Sequence, residues 1–250
     1  MKLKIKQEIE YWLNKYINKN TIKKQKIKNW LNQYDVKNYT INNDLTVDVS
    51  GDVNLSYNKI KEINFKFGKV DGFFFCNNNR LTNLEFCPKE VGGYFDCSNN
   101  QLVSLKFCPN KIGRDFDCNG NELTSLEFCP KEVSGNFNCS NNNLTSLEFC
   151  PGKVGSYFDC NSNQLTSLEF CPKKIGGGFT CSNNQLNSLV HIPLKIGEEI
   201  YLAHNPLLGK YQDIQTYDEL LVANKLYLLE DKIRKNLYSN NEKKINKIKV

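Results

Sequence analysis

The sequence predicts an elongated α/β solenoid, and three columns of residues predict it. The eleven cysteines fall at positions 76, 87, 97, 108, 118, 129, 139, 150, 160, 171 and 181. Their gaps alternate between 11 and 10 residues, so the chain repeats every 21 residues. Asparagine recurs at that period without a miss, at Asn58, Asn79, Asn100, Asn121, Asn142, Asn163, Asn184 and Asn205. Six of the seven prolines follow it from Pro88 to Pro193, and a glycine column runs through Gly92, Gly113, Gly155, Gly176 and Gly197. Both turns of each repeat are thereby punctuated. At 250 residues, with 40% hydrophobic and 24% charged residues, the chain is long enough to bury a core and too apolar for a disordered polyelectrolyte.

The strand comes first. In the repeat Phe95-Asp96-Cys97-Ser98-Asn99-Asn100-Gln101-Leu102-Val103-Ser104-Leu105, Phe95 and Cys97 are two apart and share one face of a short strand. Equivalent strands of successive repeats then stack into a parallel sheet. Asn100 sits where the chain turns out of the strand, and a buried turn leaves backbone groups to be paired. A column of side-chain amides, each able to donate and accept, can pair them between coils, so the eight asparagines read as a structural ladder. The remainder, Leu105-Lys106-Phe107-Cys108-Pro109-Asn110-Lys111-Ile112-Gly113, is too short and too interrupted by Pro and Gly for a regular helix. It should be extended or polyproline-like.

This spacing fits L-x-L-x-x-N-x-L-x-x-L, with Phe and Cys in the first two apolar slots, and from about Val53 to Leu208 it resembles the leucine-rich repeat family. Within that family it is most similar to the short-period type of bacterial effectors, N-x-L-x-x-L-P-x-L-P-x-x-L, and to asparagine-rich repeat proteins of phages and giant viruses. It departs from the effector pattern by Phe-Cys-Pro in place of Leu-Pro and by one extra residue per coil. The resemblance implies a parallel concave sheet, a largely non-helical convex side, and binding of another protein. It also implies a location in an infected host cell or a virus particle. Effectors of this type often carry a ubiquitin-ligase domain with a catalytic cysteine after the repeats; here no cysteine follows Cys181, and that activity is not carried over.

The flanks differ in kind. Residues 1–38 read as a basic helical N-cap, 39–208 as the solenoid of about eight coils, and 209–250 as a helical C-cap with a Lys/Asn-rich tail. Met1 to Asp35 carries nine lysines against Glu8, Glu10 and Asp35. Ile5, Ile9, Trp12, Leu13, Tyr16 and Ile17 fall at helical spacing, which predicts one amphipathic helix there and a second from Thr21 to Tyr34. Their apolar stripe should pack on the first coil. The alternation Thr46-Val47-Asp48-Val49-Ser50 predicts a first strand closing the open end of the sheet. After Asn205 the pattern dissolves, and Asp218, Leu220, Leu221, Ala223, Leu226, Leu228, Leu229 and Ile233 predict a helix over the last coil. The formal charge of +6 is concentrated in the two ends.

Nothing at the N-terminus has the continuous apolar run of a signal peptide or membrane span. An odd number of cysteines then points to reduced thiols in a cytoplasmic-type compartment. The only histidines are His191 and His204, with no cysteine at nucleophile spacing and no Gly-rich phosphate loop. No catalytic residue, cofactor or metal is expected: the cysteines never form C-x-x-C, and their columns occupy slots that Leu fills in the family.

What remains is surface. Residues flanking the two inward slots vary from coil to coil, and variation in a solenoid column is permitted where a partner is met. Phe73, Phe75, Tyr94, Asp96, Asp115 and Asp117 form an expected aromatic and acidic patch on the concave side, continued by Tyr157, Asp159 and Tyr201. Few rotatable bonds make such aromatics good anchors for a protein partner. Phe86, Phe107, Phe128, Phe149 and Phe170 immediately precede the second cysteine column. If the cysteines point in, these rings point out and form a ridge suited to self-association or to an assembly role in a particle. The alternative is that they close the bottom of the core. Binding of nucleic acid or an anionic membrane by the basic N-terminus is the lesser reading.

Overall fold

The computed structural model describes residues 2–206 and, beyond them, Glu219, Val222, Lys225 and Leu229, all four helical. The C-cap over 209–250 otherwise lies outside the described residues. From 47 to 206 the chain is a solenoid of parallel strands with a period of 21 residues.

Each coil places two short strands against one core. The first set pairs Val53–Asn54, Phe74–Phe75, Phe95–Asp96 and their equivalents through Ile200–Tyr201 into an eight-stranded parallel sheet. Its register is one coil per step, Phe74 opposite Phe95 and Phe95 opposite Phe116. In every strand the first residue is directed inward and the second outward, the period of two that the sequence carries. Phe74, Phe95, Phe116, Phe137, Phe158 and Phe179 are fully buried and stack ring on ring with centroids 5.4 to 5.9 Å apart. The first cysteine column, Cys76 to Cys181, is equally buried. All eleven thiols are free, and burial holds Cys97, Cys118 and Cys139 well above the usual thiol range, in the neutral form.

The asparagine ladder forms as its chemistry requires. Asn121 donates through Nδ2 to Cys97 O of the preceding coil and to Cys118 O of its own, both at 3.1 Å, while its Oδ1 accepts from Leu102 N at 3.0 Å. The pattern recurs at Asn100, Asn142, Asn163 and Asn184. Asn58, at the first rung, is exposed, and Asn79 is half-buried, because less of the solenoid precedes them.

The segment expected to be extended or polyproline-like is extended and contributes a second sheet, with strands such as Glu90–Val91, Lys111–Ile112 and Lys153–Val154. Among the described residues this sheet is interrupted once, between Lys111–Ile112 and Glu132–Val133. Ser134 stands at this break in the glycine column. At Gly92, Gly113, Gly155, Gly176 and Gly197 the backbone approaches so closely that a Cβ at Gly113 would overlap the carbonyl oxygen of Gly92, and one at Gly155 that of Ser134; Asp71, at the edge of the column, still donates to Val49 O at 2.9 Å. Gly113 and Gly155 donate to Val91 O and Val133 O at 2.9 Å. Ser134 carries the Cβ that this approach excludes, and the pairing resumes where Gly135 N–H donates to Arg114 O at 3.1 Å.

At the N-terminal end the two expected helices are one, α1 (Lys2–Gln33); no Pro or Gly stands between them to break it. Ile27 and Leu31 are buried, and Trp30 packs edge-on against Phe65 at 5.0 Å. The helix stops where Asp35 adopts φ +52° and Val36 N–H returns to Leu31 O at 2.9 Å. The expectation that the whole apolar stripe packs on the first coil is not met. Ile5, Ile9, Trp12, Leu13 and Ile17 are between 51% and 63% exposed, so only the last third of the helix is a cap. A hairpin follows, β1 (Tyr39–Ile41) antiparallel to β2 (Val47–Val49). It closes the second sheet, not the first, since β2 pairs with Phe67–Val70.

Candidate functional site

Two surfaces carry the residues singled out by the sequence. On the outward face of the eight-stranded sheet, Phe73 and Phe75 stack at 5.6 Å, and Tyr94 meets Phe75 edge-on at 5.5 Å. All three rings are half-buried, held by a sheet whose backbone is paired on both sides. The Tyr94 hydroxyl donates to Asp117 Oδ2 at 3.3 Å. Burial, with the charges of Asp117 and Asp96 beside it, pushes the Tyr94 phenol well above its usual range.

Asp96 and Asp117 lie on adjacent rungs. Burial raises both carboxyls above the ordinary aspartate value, and for Asp117 the neighbouring Asp96 charge adds to it. Asp117 is also saturated with donors. Its Oδ1 accepts from Asn119 N at 2.9 Å and Asn119 Nδ2 at 2.6 Å, and its Oδ2 accepts from Asn138 Nδ2 at 3.2 Å as well as from Tyr94. It organises the patch from within. A depression of about 310 Å³ continues from Tyr94 between Asp115, Asp117, Asn138, Tyr157 and Asp159. Asp159 accepts from Thr180 Oγ1 at 2.9 Å, and Tyr157 is 40% exposed. Tyr201 stands apart at the far end, its hydroxyl on Glu199 at 2.9 Å. The sequence-derived set is thus a stacked aromatic cluster leading into an acidic hollow, with Tyr201 outside it.

The phenylalanine ridge is the second surface. Phe107, Phe128, Phe149 and Phe170 are 47% to 54% exposed, whereas Phe86 is half-buried against the core. Of the second cysteine column behind them, Cys87 and Cys171 are buried and Cys108, Cys129 and Cys150 half-buried, as expected of neighbours on opposite faces. Each exposed ring sits third in a four-residue turn; Cys129 N–H closes one on Leu126 O at 2.9 Å. The φ values there are +66° to +70°, the left-handed region that glycine or asparagine normally fills in a type II turn. In the other left-handed column of the coil, Asn78, Asn99, Gly120, Asn141 and Asn183 follow that rule, while Tyr57, Ser162 and His204 do not.

Sequence reasoning missed one further feature. Where Ser134 interrupts the second sheet, a depression of about 630 Å³ opens beside Phe128, lined by Lys111, Ile112, Cys129, Lys131 and Ser134. Its only sequence signal is the gap in the glycine column at position 134.

Among the described residues no cluster of three or more His, Cys, Asp or Glu could hold a metal ion, and no helix is long and apolar enough to cross a membrane. No family model, curated protein or solved structure matches the chain.

Proposed function

We propose that the chain is a divergent leucine-rich repeat of the short-period type found in bacterial effectors and in phage and giant-virus proteins. In this reading it is a non-enzymatic module of a reducing, cytoplasmic-type compartment. It binds a protein segment on the outward face of its eight-stranded sheet. Phe95, Cys97, Asn100, Leu102 and Leu105 fill the slots of the family pattern and all are buried, which supports the first part.

The observation that carries the binding reading is the Phe73–Phe75–Tyr94 cluster. Three aromatic rings are held partly exposed by stacking and by a hydrogen bond on a rigid sheet, beside Asp96, Asp115 and Asp117. Fixed aromatics lose little conformational entropy on binding, and carboxylates around them select a cationic partner. The occupant is therefore a segment presenting lysine or arginine next to an apolar side chain.

Selection of displayed random peptides on the full chain tests this. Enrichment of such sequences, released by salt, is expected. Enrichment of acidic peptides, or binding indifferent to both salt and peptide charge, would overturn it.

A further inference from the structure

The exposed stripe of α1 and the phenylalanine ridge are two apolar surfaces that one chain leaves uncovered. We propose that they cover each other between two copies: the N-terminal half of α1 of one copy lies along the Phe107–Phe170 ridge of the other, with Trp12 seated in the hollow beside Phe128.

The ridge carries the first part of the argument. Four phenylalanines in succession occupy left-handed turn positions that disfavour bulky side chains, whereas five of the eight rungs of the sister column use Asn or Gly. They are also half exposed, so neither backbone preference nor core packing accounts for them. Contact with something outside the chain does.

The helix is long enough to cover the ridge and matches it in chemistry. Phe107 to Phe170 spans three coil steps, about 14 Å at the spacing of adjacent strands. Ile5 to Ile17 spans twelve residues, about 18 Å of helix. Ile5, Ile9, Trp12, Leu13 and Ile17 lie within one stripe at helical spacing, the same face that buries Ile27 and Leu31 further along.

Charge complements the fit. Glu127, Glu148 and Glu169 directly precede Phe128, Phe149 and Phe170 and are exposed, while α1 carries nine lysines against two glutamates. At Phe107 the preceding residue is Lys106, whose ammonium sits 5.1 Å from the ring centroid. There the chain itself supplies the cation over the ring; at the next three rungs a glutamate stands ready to pair with one. The hollow at the sheet break is open enough for an indole and is bordered by Lys111 and Lys131, which suits an aromatic anchor.

The contact is made between copies because α1 is one unbroken helix fixed at its C-terminal end by Ile27, Trp30 and Leu31. Its exposed stripe cannot reach its own ridge without breaking. Each copy offers one helix and one ridge, so reciprocal exchange closes a two-fold dimer.

The mass of the full chain in solution, followed over a concentration series, tests this. The wild type is expected to shift from the 28.8 kDa monomer to a dimer. Ile9→Asp with Trp12→Asp removes the stripe at exposed positions. Phe128→Asn with Phe149→Asn removes the ridge using a residue that suits the left-handed turn, which preserves the fold. Each double variant should stay monomeric at tenfold higher concentration, and an equimolar mixture of the two should associate again through the one intact helix–ridge pair. A monomeric wild type throughout, a ridge variant that dimerises as well as wild type, or a mixture that stays monomeric would overturn the proposal. A monomer that binds phosphatidylserine vesicles through Trp12 would overturn it as well, assigning the stripe to lipid.

Discussion

A phenylalanine in a left-handed turn is disfavoured locally, so replacing it separates what the backbone prefers from what the ring does. Phe149→Asn should stabilise the monomer by about 1 kcal/mol, read as a higher melting temperature at low protein concentration; a fall would mean that the half-exposed ring is core. The ladder should respond in the opposite sense. Asn121→Ala removes two donations and one acceptance from the interior and leaves backbone groups unpaired, at a loss of about 1 to 3 kcal/mol. An unchanged melting temperature would contradict the ladder. The third residue to probe is Asp117, whose carboxyl is raised by burial and by Asp96. With a raised folded pKa, the native state binds more protons than the unfolded chain above the ordinary aspartate value, so this group's stabilisation is full below that value and lost as pH rises through the folded pKa. Relative to wild type, Asp117→Asn should therefore have a higher melting temperature at pH 7 than near pH 3, whatever it loses in accepted hydrogen bonds at both. An equal difference at both would show that the charge is not the cause.

At the level of elements, the period, the inward Phe and Cys and the ladder were legible because each is a column, and a column repeated in register can only mean stacked coils. The second sheet was not legible: two-residue strands such as Lys111–Ile112 are too short to show alternation and are made by the closeness of neighbouring coils. The continuity of α1 was obscured by its polar stretch around Asn18 and Asn20. The exposure of its stripe could not be read from spacing, since helical spacing gives a face and not what covers it. In the candidate site, the aromatic and acidic patch was legible as variable positions. Asp117's role inside the patch was not, because it depends on Asn119 and Asn138 reaching it from two coils. The sheet break yields its own test. Gly155→Ser should reproduce the interruption seen at Ser134 and lower stability by about 1 to 3 kcal/mol, the range for overpacking, whereas Ser134→Gly should give the amide at position 134 hydrogen-exchange protection. Protection unchanged in Ser134→Gly would mean that something other than the Cβ parts the strands.

Across the whole molecule, one continuous core presents three surfaces: a sheet face with fixed aromatics and carboxylates, a ridge of exposed phenylalanines and a projecting helix. In the proposed reading this scaffold binds by surface, with the chemistry set by the few side chains that the repeat leaves free to vary. The central claim is that the sheet face, and not the ridge, holds the protein partner. The most direct measurement is the affinity of a selected cationic peptide for three forms of the chain with matched melting temperatures: wild type, Phe75→Ala with Tyr94→Ala, and Phe128→Asn with Phe149→Asn. Loss of two buried aromatic anchors should weaken binding by about 2 kcal/mol, roughly thirtyfold, while the ridge variant binds as wild type does. Unchanged affinity in the Phe75/Tyr94 variant, with binding lost in the ridge variant, would contradict the account.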